Sequence, residues 1–197
     1  MNTRYVAVAA VPLAAILALT GCSGGSGSMP GMDHDSAPMT TATTAASASE
    51  SDILFVTMMI PHHEQAIAMS DTLLSKAGVD ERVTALAAQI TAAQQPEIDT
   101  MKGWLSDWGV SMSDGMSGMD LGGMMSESDM QALAAADGSD AARLYLEQMI
   151  EHHQGAIDMA QDEIDGGADG EVVALARSIV DSQAAEISTM KELMASL

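Results

Sequence analysis

Four of the five histidines in this 197-residue chain stand in two copies of one motif. The first copy, MIPHHEQAIAM, occupies residues 59–69, and the second, MIEHHQGAIDM, occupies residues 149–159. Each copy holds two adjacent histidines with a methionine at either end. Thioether sulfur favours Cu(I), and imidazole nitrogen accepts copper in both oxidation states. The motif therefore indicates copper binding.

The helical period places the candidate ligands of each motif on one buried arc. Adjacent residues of a helix lie about 100° apart, so one ion cannot easily take both His62 and His63. His62 could pair with a flanking methionine, or with His152 across the fold. The opposite face, which includes Thr57, is expected to contact water. The predicted metal ligands are His62, His63, His152, His153, Met59, Met69, Met149 and Met159.

A second repeated motif supplies two glutamates. Residues 94–102 read QQPEIDTMK and residues 183–191 read QAAEISTMK, and six of the nine positions agree. A carboxylate that accepts the N–H of a ligating imidazole fixes the orientation of that ring. We therefore expect the glutamates to hold the histidines. The residues predicted to support or complete the site are Glu97, Met101, Glu186 and Met190.

Two other interpretations stay open for the same residues. Buried histidines often serve as hydrogen-bonding core residues, and methionine often fills apolar cores. The chain could then be a structural or interaction protein. A metal-dependent oxidoreductase is a less favoured alternative, because the Glu-x-x-His pairs of di-iron bundles are absent from both histidine motifs. No catalytic residues are indicated, and we expect a protein that is not an enzyme.

Four long helices and one short helix are predicted to carry these motifs. Each half of the chain reads as a helical hairpin, and a hairpin alone cannot bury its apolar face. Two repeated hairpins packed together predict an all-α four-helix bundle. Pro96 is expected to kink the second helix or reset its register. The long helices are predicted at 51–76, 80–108, 139–165 and 169–196, with the short helix beginning at Ser126.

The N-terminal residues predict export and a lipid anchor. Residues 1–21 combine a basic start with an apolar run, which is typical of a signal peptide. The residues Leu-Thr-Gly-Cys that end at Cys22 resemble the lipobox of bacterial lipoproteins. This resemblance implies cleavage before Cys22 and lipidation of that residue. The alternative is a plain signal peptide with an incidental cysteine. We expect a lipoprotein on the outer face of the cytoplasmic membrane or in the periplasm.

The predicted domain plan has three parts. A flexible tether rich in serine, glycine and threonine follows the signal peptide and spans residues 22–50. The bundle spans residues 51–197. Within it lie repeat one (51–108), a loop rich in methionine and glycine (109–125) and repeat two (126–197).

The tether and the loop contain methionines among glycine, serine and aspartate. Such polar surroundings argue against burial of these side chains, so we expect them to capture Cu(I) weakly. Low-complexity drift is the alternative explanation. The residues concerned are Met29, Met32 and His34 in the tether and Met116, Met119, Met124 and Met125 in the loop.

The charge of the chain is strongly acidic, with 28 acidic and 7 basic residues and a formal net charge of −21. Such a chain is repelled by nucleic-acid phosphates and attracts cations. Much of this charge also suits an ordinary solvated surface. The expected partners are copper ions, the membrane through the anchor at Cys22, and a copper-accepting protein or a second copy of the chain. Nucleic acid is not expected.

MMIPHHEQAIAM and QMIEHHQGAIDM, with QQPEIDTMKGWL and QAAEISTMKELM, resemble the bacterial domain of unknown function 305 family over about residues 51–197. The resemblance implies a ferritin-like four-helix bundle. Its exported CopM-type members imply copper binding, as Cu(I) and also Cu(II), for sequestration, tolerance or delivery at the cell envelope. The family motif falls on the eight ligand positions given above. Pro96 departs from the commoner pattern, in which a helix former is usual.

Overall fold

The computed structural model describes residues 48–112 and 122–197, and five α-helices follow one another within them. No strand occurs in these two ranges. The predicted all-α fold is confirmed, and the long helices lie within about two residues of the predicted ranges. None of the described helices is both long and apolar enough to cross a membrane. The helices are α1 (Glu50–Leu74), α2 (Glu81–Trp108), α3 (Glu127–Ala135), α4 (Gly138–Gly166) and α5 (Gly170–Ser196).

Local side-chain chemistry sets the ends of these helices. At the start of α1, the Ser49 amide donates to the Asp52 carboxylate at 2.6 Å, and the Asp52 amide donates to the Ser49 hydroxyl at 3.2 Å. Ser126 and Asp129 form the same capping box before α3, as their spacing indicates. α2 ends at Gly109, whose φ of 68° suits a residue without a Cβ.

Both internal prolines lie within continuous helices. α1 runs through Pro61, and α2 runs unbroken from Glu81 to Trp108 through Pro96. Proline cannot donate to the carbonyl four residues before it. Ala92 and Pro96 are both exposed, so water can reach that carbonyl. Pro96 therefore does not end the helix that carries Glu97.

α1 packs chiefly against α2, and α4 packs chiefly against α5. The two hairpins meet through α1 and α4, and α3 lies against both of these helices. The core divides into two apolar clusters, and the motif histidines lie between them along α1 and α4. The first cluster includes Met69, Leu73, Leu133, Tyr145 and Met149, and the second includes Phe55, Met59, Ile60, Ile98 and Met101.

Thr57 lies on the face of α1 that was expected to contact water, and this expectation is wrong. Its side chain is only 1% exposed. Its hydroxyl donates to the carbonyl of Ile53 at 2.7 Å, so the polar group is satisfied within the helix itself. A helical threonine can be buried at little cost in this way.

Candidate metal centre

The rings of His62 and His152 meet where α1 crosses α4. Their centroids lie 3.7 Å apart at an interplanar angle of 40°, and both side chains are fully buried. One possibility left open by the sequence was that His62 pairs with His152 across the bundle, and the fold does bring these two histidines together. The adjacent rings of His152 and His153 lie farther apart, with centroids 6.4 Å from each other.

All four nitrogens of these two rings are buried. Neither nitrogen of His62 or of His152 makes a hydrogen bond of good geometry to a described residue. A buried polar atom without a partner costs about 1–3 kcal/mol. The fold therefore holds lone pairs in its core that a bound cation could use.

The second histidine of each pair is held by a glutamate. His63 Nε2 lies 2.7 Å from a carboxylate oxygen of Glu97, and His153 Nε2 lies 2.6 Å from one of Glu186. The predicted contacts between histidines and glutamates are therefore present. The Nδ1 atoms of His63 and His153 lack partners among the described residues. A carboxylate on one ring nitrogen leaves the other free to bind a metal, which is the usual support of a ligating imidazole.

Burial keeps the rings of His62 and His152 neutral. It is the largest influence on His62 and lowers its pKa to about 3, with repulsion from His63 and His153 acting in the same direction. A backbone contact with Gly122 opposes this lowering in part. Burial likewise lowers the pKa of His152 well below its ordinary value. At neutral pH both rings therefore offer a lone pair that no proton occupies.

The predicted thioether ligands lie in the two core clusters. Met59 and Met101 belong to one cluster, and Met69, Met149 and Met190 to the other, and all five are buried. Met159 is partly exposed. Within residues 48–112 and 122–197, no group of three or more histidine, cysteine, aspartate or glutamate side chains could hold a metal ion. Ligation by methionine remains a prediction.

The four motif histidines, His62, His63, His152 and His153, form what we call the histidine layer. A short stretch before α3, residues 122–125, lies over this layer, and we call it the covering segment. Gln65 makes two hydrogen bonds to this segment. Its amide nitrogen donates to the Met125 carbonyl at 2.9 Å, and its amide oxygen accepts from the Met125 amide at 2.7 Å. On α4, a Cβ added at Gly155 would clash with the Gly122 carbonyl oxygen. Sequence reasoning missed this contact, although Gly155 replaces Gln65 in the repeat.

Burial of Met125 contradicts the prediction that it lies open as a copper-capturing side chain. It is 7% exposed and belongs to the first core cluster. The two bonds from Gln65 hold its backbone against α1, so its side chain enters the core despite polar neighbours in sequence. Met124 is partly exposed. The other predicted capture residues and the predicted lipidation site lie outside the described residues: Met29, Met32, His34, Met116, Met119 and Cys22.

Two carboxyl groups form a second polar cluster at one end of the bundle. The Asp52 carboxylate accepts the amides of Ala168 and Asp169, both at 3.0 Å. The hydroxyl of Ser51 donates to Glu163 at 2.9 Å. Burial would raise the pKa of Asp52, but its hydrogen bonds lower it to about 2. Burial, followed by the contact with Asp52, raises the pKa of Glu163 to about 7.

Comparisons with known proteins give matches over most of the chain. The profile of a domain of unknown function (DUF305) matches residues 23–78 and 52–194. A crystal structure of a DUF305 protein from Streptomyces coelicolor, described as secreted, is 34% identical, covers 74% of this chain and 91% of its own, and has a TM-score of 0.69. A DUF305 fragment from Deinococcus radiodurans is 32% identical, with 76% and 99% covered and a TM-score of 0.69.

Solved structures of a protein named CopM also match. Its Cu(I)-bound form is 35% identical, covers 74% of this chain and 96% of its own, and has a TM-score of 0.62. The same protein has been solved in Cu(II)-bound, apo and silver-bound forms. No curated protein matched the chain.

Proposed function

This chain belongs to the DUF305 family, and we propose that it is an exported protein that binds copper through the histidine layer of its bundle. The role is binding for sequestration, tolerance or delivery at the cell envelope. Catalysis is not part of the proposal. Export follows from the signal-like residues 1–21 and the secreted description of one relative, and anchoring at Cys22 would keep the protein at the membrane.

The observation that carries the proposal is the set of unpaired ring nitrogens. Six nitrogens of the four motif histidines are buried and make no hydrogen bond of good geometry to a described residue. A core that needed these histidines only for hydrogen bonds would satisfy them, because unpaired buried groups are costly. The two glutamate contacts orient His63 and His153 and leave their Nδ1 atoms unused. Buried ring nitrogens of this kind, supported by two glutamates, are the arrangement expected of metal ligands.

The chemistry of the donors favours copper over harder ions. The rings are neutral, and buried methionines lie in the core clusters on either side of them. Imidazole and thioether together select Cu(I), and imidazole also accepts Cu(II). A relative at 35% identity is known in a Cu(I)-bound form, which supports the same cargo here. A methionine ligand beside the histidines would come from the buried Met59, Met69 or Met149.

The competing function is a structural protein whose histidines stabilise the core. The hydrogen bonds of His63 and His153 are the observation in its favour. The two proposals differ in the effect of replacing His62 and His152 by leucine. If these rings serve as copper ligands, replacing them by leucine removes buried polar atoms that lack good hydrogen bonds. The metal-free variant should then be at least as stable as the original protein. If they stabilise the core, it should unfold at a lower temperature.

Thermal unfolding with and without a soft metal tests this difference. Copper binding should raise the stability of the original protein, by about 2.7 kcal/mol at a hundredfold excess over Kd. The His62→Leu/His152→Leu variant should lose most of that gain. A variant that is less stable without metal, together with an original protein that gains no stability from copper, would favour the structural role.

A further inference from the structure

Two cavities lie side by side along the seam between α1 and α4. The larger has a volume of about 430 Å³ and the smaller about 160 Å³. Met58, Met159 and Asp162 line both of them. Both methionines are partly exposed and Asp162 is exposed. Two thioethers and a carboxylate therefore border one groove that solvent can reach.

The repeat shows how the two ends of the seam differ. Met58 corresponds to Gln148, and Met159 corresponds to Met69. At the other end of the seam, Gln148 donates to the Asp129 carbonyl at 3.0 Å, and α3 covers the helices there. Met69 is consequently buried in the first core cluster. Met58 and Met159, at the opposite end of the seam, keep access to solvent.

The groove also adjoins the histidine layer. Gly122 and Gly155 line the larger cavity, and they are the residues that touch where the covering segment meets α4. Gly122 also contacts His62. Glu151 and Asp158 add further carboxylates to the wall. A cation in this groove would therefore lie next to the segment that covers the histidines, in a negative field that favours its arrival.

We propose that Met58, Met159 and Asp162 form a surface capture site for a soft monovalent cation, Cu(I) or Ag(I). Thioethers select such ions over the harder cations that carboxylates alone would bind. The carboxylate supplies the charge that draws the ion in. Met159 thus binds metal in the groove instead of beside His152. That the captured ion passes on to the histidine layer rests on the function proposed above, whereas the capture site itself does not.

Silver titration of the protein labelled with ¹³C at its methionine methyl groups tests the site. Ag(I) is added to the purified full chain, and the methionine methyl and histidine ring signals are followed together. The methyl signals of Met58 and Met159 should shift with the same midpoint. They should still do so in the His62→Leu/His152→Leu variant. Met58→Leu should raise the Ag(I) concentration that shifts Met159 by about tenfold or more, a change of about 1.4 kcal/mol.

Met194→Leu provides the matched control, because Met194 is partly exposed but packs on the first core cluster away from the groove. It should leave the midpoint of Met159 unchanged. Unmoved signals of Met58 and Met159 while other methionines shift would overturn the capture site. A midpoint of Met159 that is the same with and without Met58 would also overturn it. Shifts at the groove without any at the histidines would uphold the capture site and contradict copper binding by the histidine layer.

Discussion

His62 and His152 lie 90 residues apart in sequence, yet their ring centroids are 3.7 Å apart in the core. Two imidazoles so close could not both be protonated in an apolar interior, because like charges there repel strongly. Their pKa values are accordingly lowered, first of all by burial. The contact suits the proposed role of the two rings as neutral metal ligands.

The glutamates that bind His63 and His153 should matter for metal binding more than for folding. Replacing Glu97 and Glu186 by glutamine keeps an acceptor near each histidine but removes its charge. We expect Cu(I) affinity to fall by about 10–100-fold, as is usual when the partner of a ligating histidine is changed. Competition with a coloured chelator measures this loss. Glu64→Gln, which affects only the surface pair with Lys102, should change nothing. Equal affinities for all three proteins would contradict the assigned support.

Gly155 should be required by the covering segment. A Cβ there would clash with the Gly122 carbonyl oxygen, so Gly155→Ala must displace the segment and weaken the hydrogen bonds that Gln65 makes to it. Hydrogen exchange at the Met125 amide should become faster, and the protein less stable.

Gly103→Ala is the control for that substitution, because nothing lies within 4 Å of its added Cβ. Since alanine suits a helix better than glycine, this change should stabilise by about 0.5–1 kcal/mol. If both glycines tolerate alanine equally, the covering segment is not packed as described.

The buried carboxyl of Glu163 should give stability a pH dependence. Folding raises its pKa from 4.5 to about 7, so the folded state binds a proton more tightly than the unfolded state does. Its contribution is full below pH 4.5 and is lost as the pH rises to about 7.

Glu163→Gln removes this titration. Denaturant unfolding of the metal-free protein should show the variant gaining stability relative to the original as the pH rises through that window. Glu192→Gln, on the exposed surface of α5, should give no such trend. A difference between Glu163→Gln and the original that stays constant with pH would refute the titration.

The sequence was sufficient for the helices and for the contacts between histidine and glutamate. Both follow from short-range periodicity and from motifs that occur twice, because each histidine–glutamate contact joins the two helices of one hairpin. The sequence left open whether His62 pairs with a flanking methionine or with His152, and the contact between the two rings appears only when α1 packs on α4.

Other features depend on packing between distant segments, which no local pattern reveals. Met125 is buried because Gln65, 60 residues away, binds its backbone. The turn before α5 meets the start of α1 and donates two amides to Asp52, which adds to the local bond from Ser49 in lowering the pKa of Asp52, while burial raises the pKa of Glu163. No sequence pattern singles out Met58, and only the packing of α1 against α4 places it beside Met159 in the groove.

Copper binding by the histidine layer is tested most directly by measuring Cu(I) affinity with and without the rings of His62 and His152. An anaerobic competition titration would compare the original protein with the His62→Leu/His152→Leu variant, after circular dichroism has shown equal helical content. Our account predicts that the variant binds Cu(I) more weakly by about a hundredfold or more, a loss of at least about 2.7 kcal/mol. Equal affinity in the two proteins would contradict it and would place the copper outside the histidine layer.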